Sequence, residues 1–302
     1  MQLSGIFAPV VTPFHAGSED LDLEGFARNV RAHIAEGLSG VVVAGSTGEA
    51  ALLSEQERAA LVATAREHTP ANRLVIAGCG GESTRQTIAR TKAAHDAGAD
   101  AVLVVAPHYY ANAMTEEVLH SHYLRVADES PRPVILYNIP KYMHFALSAD
   151  LVAELAQHRN VIGIKDSSGV LDMLKGFLPV QSDRFTVLTG SGSGLQAGLE
   201  AGARGGILAV SLFAAGFALA VFRGMRADDQ VRGGAAGQAP DLAAATAAQA
   251  RLTPMANVIV AKLGVPAVKH AMDLVGHVGG VPRMPLLPLG EAERAEVVAA
   301  LG

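Results

Sequence analysis

Short apolar runs and amphipathic stretches alternate along the first 225 or so residues of this chain, eight times over. GIFAPVVTPF reads as a strand, and LDLEGFARNVRAHIAEG follows with helical spacing, placing Leu23, Phe26, Ala27, Val30 and Ile34 on one face. GVVVAG is a second strand, and Ser54-x-x-Glu57 is a capping box that opens the next helix. NRLVIAG leads to a helix from about Ser83 to Ala97, ADAVLVVAP to one from Thr115, and RPVILYNIP to one opening at Ser148. VIGIK precedes a short helix near Leu171, FTVLTGS one from Ser193, and GGILAVS one running to about Met225.

Each strand is nearly continuous in apolar residues, as expected of strands covered on both faces. Eight such strand–helix units predict an α/β fold, a closed (β/α)8 TIM barrel over residues 1–226. An open doubly wound sheet is the competing arrangement. It requires a glycine-rich phosphate turn after the first strand, and TPFHAGSED is not one. Residues 227–302 have no strand pattern and are expected to form a helical C-terminal extension. GGAAGQAPDLAAATAAQA within it begins as a linker and becomes helical, and further helices are predicted near Val265 to Val275 and Glu291 to Leu301. The run GGILAVSLFAAGFALAVF at 205–222 has the length of a marginal membrane span. Its three glycines and its place in the alternation instead favour a buried strand followed by a core-facing helix.

The charge balance argues against nucleic acid as a partner: the net charge is -5 and no basic run stands out. Cys79 is the single cysteine, which excludes an internal disulfide framework and a cysteine-based zinc cluster and fits a reducing, cytoplasmic setting. MQLSGIFAPVVTPF lacks a basic segment followed by an apolar core, so no signal peptide is expected.

In a barrel of this kind, chemistry collects at the C-terminal ends of the strands. VIGIKDSSG at 161–169 places Lys165 at the end of a buried, β-branched strand. Burying an ammonium without a partner is costly, and such a group tends to shed its proton and become a nucleophile toward carbonyls. The plainer alternative is a lysine that reaches solvent or pairs with Asp166. Four of the five tyrosines, Tyr109, Tyr110, Tyr137 and Tyr142, fall at the ends of strands 4 and 5. Tyr137 is a candidate proton shuttle. Gly45-Ser46-Thr47-Gly48-Glu49 after strand 2 offers two hydroxyls and a tight turn that can grip a carboxylate. Gly190-Ser191-Gly192-Ser193-Gly194 after strand 7 is a weak phosphate-cradle motif. Metal chemistry finds little support. His120 and His122 are two apart on a predicted helix and point in different directions, His108 and His144 are isolated, and the strand ends carry no carboxylate cluster.

With these residues in place, the whole chain resembles the dihydrodipicolinate synthase / N-acetylneuraminate lyase family of class I aldolases. Three motifs carry the resemblance: GSTGE at 45–49, YNIP at 137–140 and GIKDSSG at 163–169. It implies a lyase in which Lys165 forms a Schiff base with pyruvate or a related 2-oxo acid, with no metal and no separate cofactor. It gives Tyr137 the proton relay and Ser46 a share in it. It sets Ser46 and Thr47 at the keto acid's carboxylate; Gly48, Ser167, Gly190, Leu208, Tyr142, Lys141 and His144 are further candidate contacts for the keto acid or for the second substrate, an aldehyde. Tyr109 would reach across an interface into a neighbouring site, implying a homo-oligomer, a dimer or a tetramer.

Within that family the chain departs from two well-known branches. The lysine-pathway synthase, 4-hydroxy-tetrahydrodipicolinate synthase, carries an arginine two residues after YN-x-P, where this chain has Tyr142. Sialic acid lyases carry an acidic pair after the strand-7 glycine, where this chain has Gly192 and Ser193. NRLVIAGCGGEST, SPRPVILY, KDSSG and Gly190-Ser191 are similar to 4-hydroxy-2-oxoglutarate aldolases. That activity is therefore the first expectation. The synthase, condensing pyruvate with aspartate semialdehyde, is the second, followed by other 2-keto-3-deoxy-acid aldolases or dehydratases. A keto-acid sensor without turnover is the non-enzymatic alternative.

Overall fold

Apolar β-branched runs form the eight strands in the computed structural model, which describes residues 3–225 and 240–302. The strands are β1 Gly5–Pro9, β2 Gly40–Val43, β3 Leu74–Gly78, β4 Ala101–Val105, β5 Val134–Asn138, β6 Val161–Asp166, β7 Thr186–Thr189 and β8 Gly205–Ile207. Each pairs in parallel with the next, and β1 pairs with β8 to close the barrel. The strands are almost wholly buried, because the interior and the surrounding helices cover both faces.

The helices returning between strands are α1 Leu23–Ala35, α2 Glu55–Glu67, α3 Thr84–Asp96, α4 Glu116–Glu129, the single turn α5 Pro140–Met143, α6 Ala149–Leu155, α7 Leu171–Phe177, α8 Leu195–Ala201 and α9 Ser211–Gly224. Local chemistry sets their starts. Ser54 accepts from Glu57 N–H while Glu57 reaches back to Ser54 N–H, so the expected capping box forms. Ser83, Thr115 and Ser148 cap α3, α4 and α6 in the same way from one side. On α1, Phe26, Ala27 and Val30 face the barrel, but Leu23, in the first turn, is 38% exposed.

Beyond the barrel lie α10 Leu242–Met255, a π-helical stretch Ala256–Leu263, α11 Val265–Leu274 and α12 Glu291–Leu301. α10 packs on α9 at very close range: a Cβ on Gly224 would run into the Asp241 carbonyl and Ala245. Small residues let the two backbones approach, which explains the alanine-rich composition of α10. Among the described residues no helix is long and apolar enough to cross a membrane. The boundary expected at residue 226 and the linker portion of the extension lie outside the described residues.

Candidate active site

Lys165 and Tyr137 sit opposite each other at the ends of β6 and β5, in register. Both are buried, and the Lys165 Nζ lies 4.3 Å from the centroid of the Tyr137 ring. Successive strand residues point to opposite faces. Lys165 therefore turns into the barrel mouth, and Asp166 turns away from it. The Asp166 carboxylate accepts from Asn138 Nδ2 at 2.7 Å and from Ser168 Oγ at 2.7 Å. Asn138 Oδ1 accepts in turn from the Leu147 N–H at 3.0 Å. Asp166 is thus committed elsewhere, and among the described residues no carboxylate pairs with Lys165. Burial pushes the Asp166 carboxyl up, partly offset by the hydrogen bonds from Ser168 and Asn138.

The GSTGE loop forms the wall over β2. Its turn is closed by Gly48 N–H to Gly45 O at 3.0 Å and Glu49 N–H to Ser46 O at 3.2 Å, and Ala44 and Glu49 both take positive φ. Thr12 Oγ1 donates to Gly48 O at 2.7 Å, and the buried Arg58 guanidinium donates to Ala50 O just beyond the loop. The N–H groups of Ser46 and Thr47 make no hydrogen bond among the described residues, leaving donors at the cavity wall. Gly190 closes the opposite side. A Cβ there would collide with Ser167 Oγ and stand 3.0 Å from Lys165 Cε, so a side chain at this position would push the lysine aside.

These residues enclose a cavity of about 390 Å³. Of the residues singled out from sequence, Lys165, Tyr137, Ser46, Thr47, Ser167, Gly190, Tyr142 and Lys141 line it. Gly48 is buried in the turn itself, and Leu208 is buried beneath its neighbours Ile207 and Ala209, which do line the cavity. His144 caps α5 in a left-handed conformation and is exposed, outside the cavity. Tyr109 is also outside it, 77% exposed and stacked edge-on against Tyr110. The loop bearing that pair is pinned by Glu82, whose carboxylate accepts from the N–H groups of His108 and Tyr109.

The extension supplies cavity residues that the sequence gave no reason to single out: Ala256, Val260, Ala261, Gly264, Val265 and Val268. Lys141 Nζ donates to Ala261 O at 3.2 Å, tying the strand-5 loop to the π-helical stretch. Gln249 on α10 donates to the carbonyls of Gly192 and Ser193, so the GSGSG loop is also held by the extension.

One potential metal-ligand trio lies outside the cavity. His33, Glu36 and His277 bring three donor atoms within 4.8 Å of one another. Glu36 contacts His33 Nδ1 at 3.1 Å and His277 Nε2 at 3.2 Å. Glu36 thereby clasps α1 to the extension through both rings.

Comparison with known proteins agrees with this geometry. The model of the dihydrodipicolinate synthetase family matches residues 2–302. A 4-hydroxy-tetrahydrodipicolinate synthase from Rhodopseudomonas palustris is 34% identical over 304 residues, covering 98% of this chain and 96% of the relative. The crystal structure of a dihydrodipicolinate synthase from Bacillus anthracis superposes with a TM-score of 0.90 at 28% identity, covering 100% of this chain and 98% of that one. A prophage protein of the dihydrodipicolinic acid synthase family from E. coli K12, solved in complex with pyruvate, gives a TM-score of 0.89 at 30% identity with the same coverage.

Proposed function

The chain belongs to the dihydrodipicolinate synthetase family, and from that premise we propose that this lyase carries pyruvate as a Schiff base on Lys165 and makes or breaks a carbon–carbon bond to an aldehyde. The observation that carries the reading is the Lys165 amine: buried in the barrel mouth, without a carboxylate partner among the described residues, and 4.3 Å from the Tyr137 ring. The free amine attacks C2 of the keto acid. Tyr137 delivers protons as the carbinolamine loses water to give an iminium. The iminium withdraws electrons from C3, whose proton leaves to give an enamine. Enamine C3 adds to the aldehyde carbon, and water then releases the product from Lys165. In the reverse direction the same groups cleave that bond. Ser46 and Thr47, which line the cavity, take the keto acid's carboxylate in this scheme. No separate cofactor enters the scheme. We read the exposed Tyr109 and Tyr110 as an interface to a second copy, and the single cysteine as fitting a cytoplasmic setting.

For the second substrate, the relatives' name favours aspartate semialdehyde, the reading placed second on sequence grounds. The relatives give no specific support to 4-hydroxy-2-oxoglutarate, the first expectation. Lys141 on the cavity wall supplies a cation for a semialdehyde carboxylate. One observation keeps the hydroxy-keto acid as a second reading: Tyr142 lines the cavity at the position where the lysine-pathway synthase carries its arginine.

Incubation with pyruvate followed by borohydride should add one reduced pyruvate to Lys165, and Lys165→Ala should remove the adduct. No adduct on the wild-type protein refutes the Schiff-base reading. Turnover with pyruvate plus aspartate semialdehyde, compared with cleavage of 4-hydroxy-2-oxoglutarate, then decides between the two substrates.

A further inference from the structure

Lys269 is a second buried lysine, and the chemistry above does not use it. It lies on α11, one residue after the cavity-lining Val268, and its side chain is 1% exposed. Its Nζ is ion-paired with Glu49 Oε1, and the Glu49 side chain is fully buried. The same Nζ donates to Val281 O at 2.7 Å and stands 4.6 Å from the centroid of the Phe14 ring. Burial lowers the Lys269 pKa, and Glu49 acts in the opposite direction.

Glu49 ends the GSTGE turn in a left-handed conformation, φ 58° and ψ 36°. A non-glycine residue holds that conformation only where its surroundings fix it. Here the fixing groups come from the extension. Glu49 Oε1 meets Lys269, and Oε2 accepts the Arg283 N–H at 2.9 Å. The Arg283 guanidinium then grips Glu57 at 2.6 and 2.9 Å and donates to Leu52 O at 2.9 Å, holding the chain that follows the loop. The segment bearing Val281 and Arg283 crosses α11 so closely that a Cβ on Gly279 would strike the Lys269 carbonyl.

A buried ion pair is a poor source of stability, because desolvating both charges offsets their attraction. It is better suited to fixing one geometry. We propose that Lys269 is a positioning residue which, through Glu49, sets Ser46 and Thr47 in place for the keto-acid carboxylate and so makes the C-terminal extension a working part of the substrate site. The proposal rests on the reading of Ser46 and Thr47 as the carboxylate contacts.

The test is borohydride trapping of folded protein across a pyruvate titration, with circular dichroism and thermal melting run alongside. In Lys269→Met, the pyruvate concentration giving half-maximal trapping should rise by about tenfold or more. Saturating pyruvate should still modify Lys165 completely, because the nucleophile itself is untouched. The double variant Lys269→Met/Glu49→Gln keeps the shape, leaves no buried charge unpaired, and serves if Lys269→Met does not fold; it should move the half-saturation in the same direction. Lys269→Arg should not rescue, since the fully enclosed site fits an ammonium and not a guanidinium. Variants that melt earlier yet titrate with pyruvate within twofold of wild type would show a purely structural pair and overturn the proposal. Absence of trapping in the wild-type protein would instead overturn the Schiff-base reading, so the two failures are distinct.

Discussion

Asn138→Ala should cost this protein about 2.5–4.5 kcal/mol of stability, although the residue contacts no substrate in the scheme above. Asn138 is fully buried between the barrel and the surrounding helices. Its Oδ1 takes the N–H of buried Leu147, and its Nδ2 donates to Asp166. Alanine leaves the Leu147 N–H without an acceptor, worth about 1–3 kcal/mol, and removes a charge-assisted bond worth about 1.5–3 kcal/mol. Ser168 still donates to Asp166 from Oγ and from its N–H, which keeps the second cost near the low end.

The pH dependence sharpens this prediction. Burial already raises the Asp166 carboxyl, and losing the Asn138 donor raises it further. A carboxyl whose folded-state pKa lies above its unfolded value takes up a proton on folding, so stability is lost as pH rises from the unfolded pKa through the folded one. The deficit of the variant should therefore shrink as pH is lowered through the raised pKa of Asp166 toward its unfolded value. Guanidinium unfolding at fixed protein concentration, followed by far-ultraviolet circular dichroism, measures both quantities. A deficit under about 1 kcal/mol at pH 7 would refute the claim that this buried network locks the strand ends. So would a deficit that grows on acidification.

Tyr137→Phe should lower single-turnover rates by about 10²–10⁴ while the borohydride adduct on Lys165 still forms; an unchanged rate would remove the phenol from the proton relay. Glu57 is held at about 2 by its hydrogen bonds from Arg283, so its contribution is present above its ordinary 4.5 and disappears as pH falls through about 2. The denaturation-midpoint gap between wild type and Glu57→Gln should be flat above pH 5 and close on acidification; a gap that widens there would contradict the pairing. Cys79 is buried with its thiol pushed up to about 12, so thiol reagents should label it only after denaturation, and fast labelling of native protein would place it wrongly.

Much of this architecture was legible because barrel strands and their helices leave strong local signals. Ser54 and Glu57 announced the start of α2, and the β-branched run before Lys165 announced burial of its amine. The contribution of the extension was not legible. Ala256, Val260, Val265 and Val268 line the cavity with small apolar side chains that look like any core residue, and which face of a π-helical stretch meets a barrel mouth depends on packing, not periodicity. Leu23 shows the converse limit: it shares the helical stripe of Phe26 and Val30 but lies in the first turn, where the helix has not yet settled against the barrel. Tyr109 was readable as chemically notable, yet its work would need a surface that a single chain does not hold.

The contrast between the two buried lysines shows where sequence reasoning stops. Lys165 stood out because a lysine within a β-branched strand breaks the local pattern. Lys269 did not, because in VPAVKHAMDLVG a lysine fits an amphipathic helix and reads as a solvated position. Both are buried, and their partners separate them. Lys269 is enclosed with the carboxylate of Glu49 and a carbonyl, contacts that occupy its nitrogen and shut it off from the cavity. Lys165 faces a phenol ring and an open cavity, because the carboxylate beside it in sequence points through the strand to Asn138 and Ser168. The nucleophilic role proposed for Lys165 thus depends on the alternation of the strand: shifting Asp166 to the inner face would give the amine a permanent counter-ion and make a second structural pair of it.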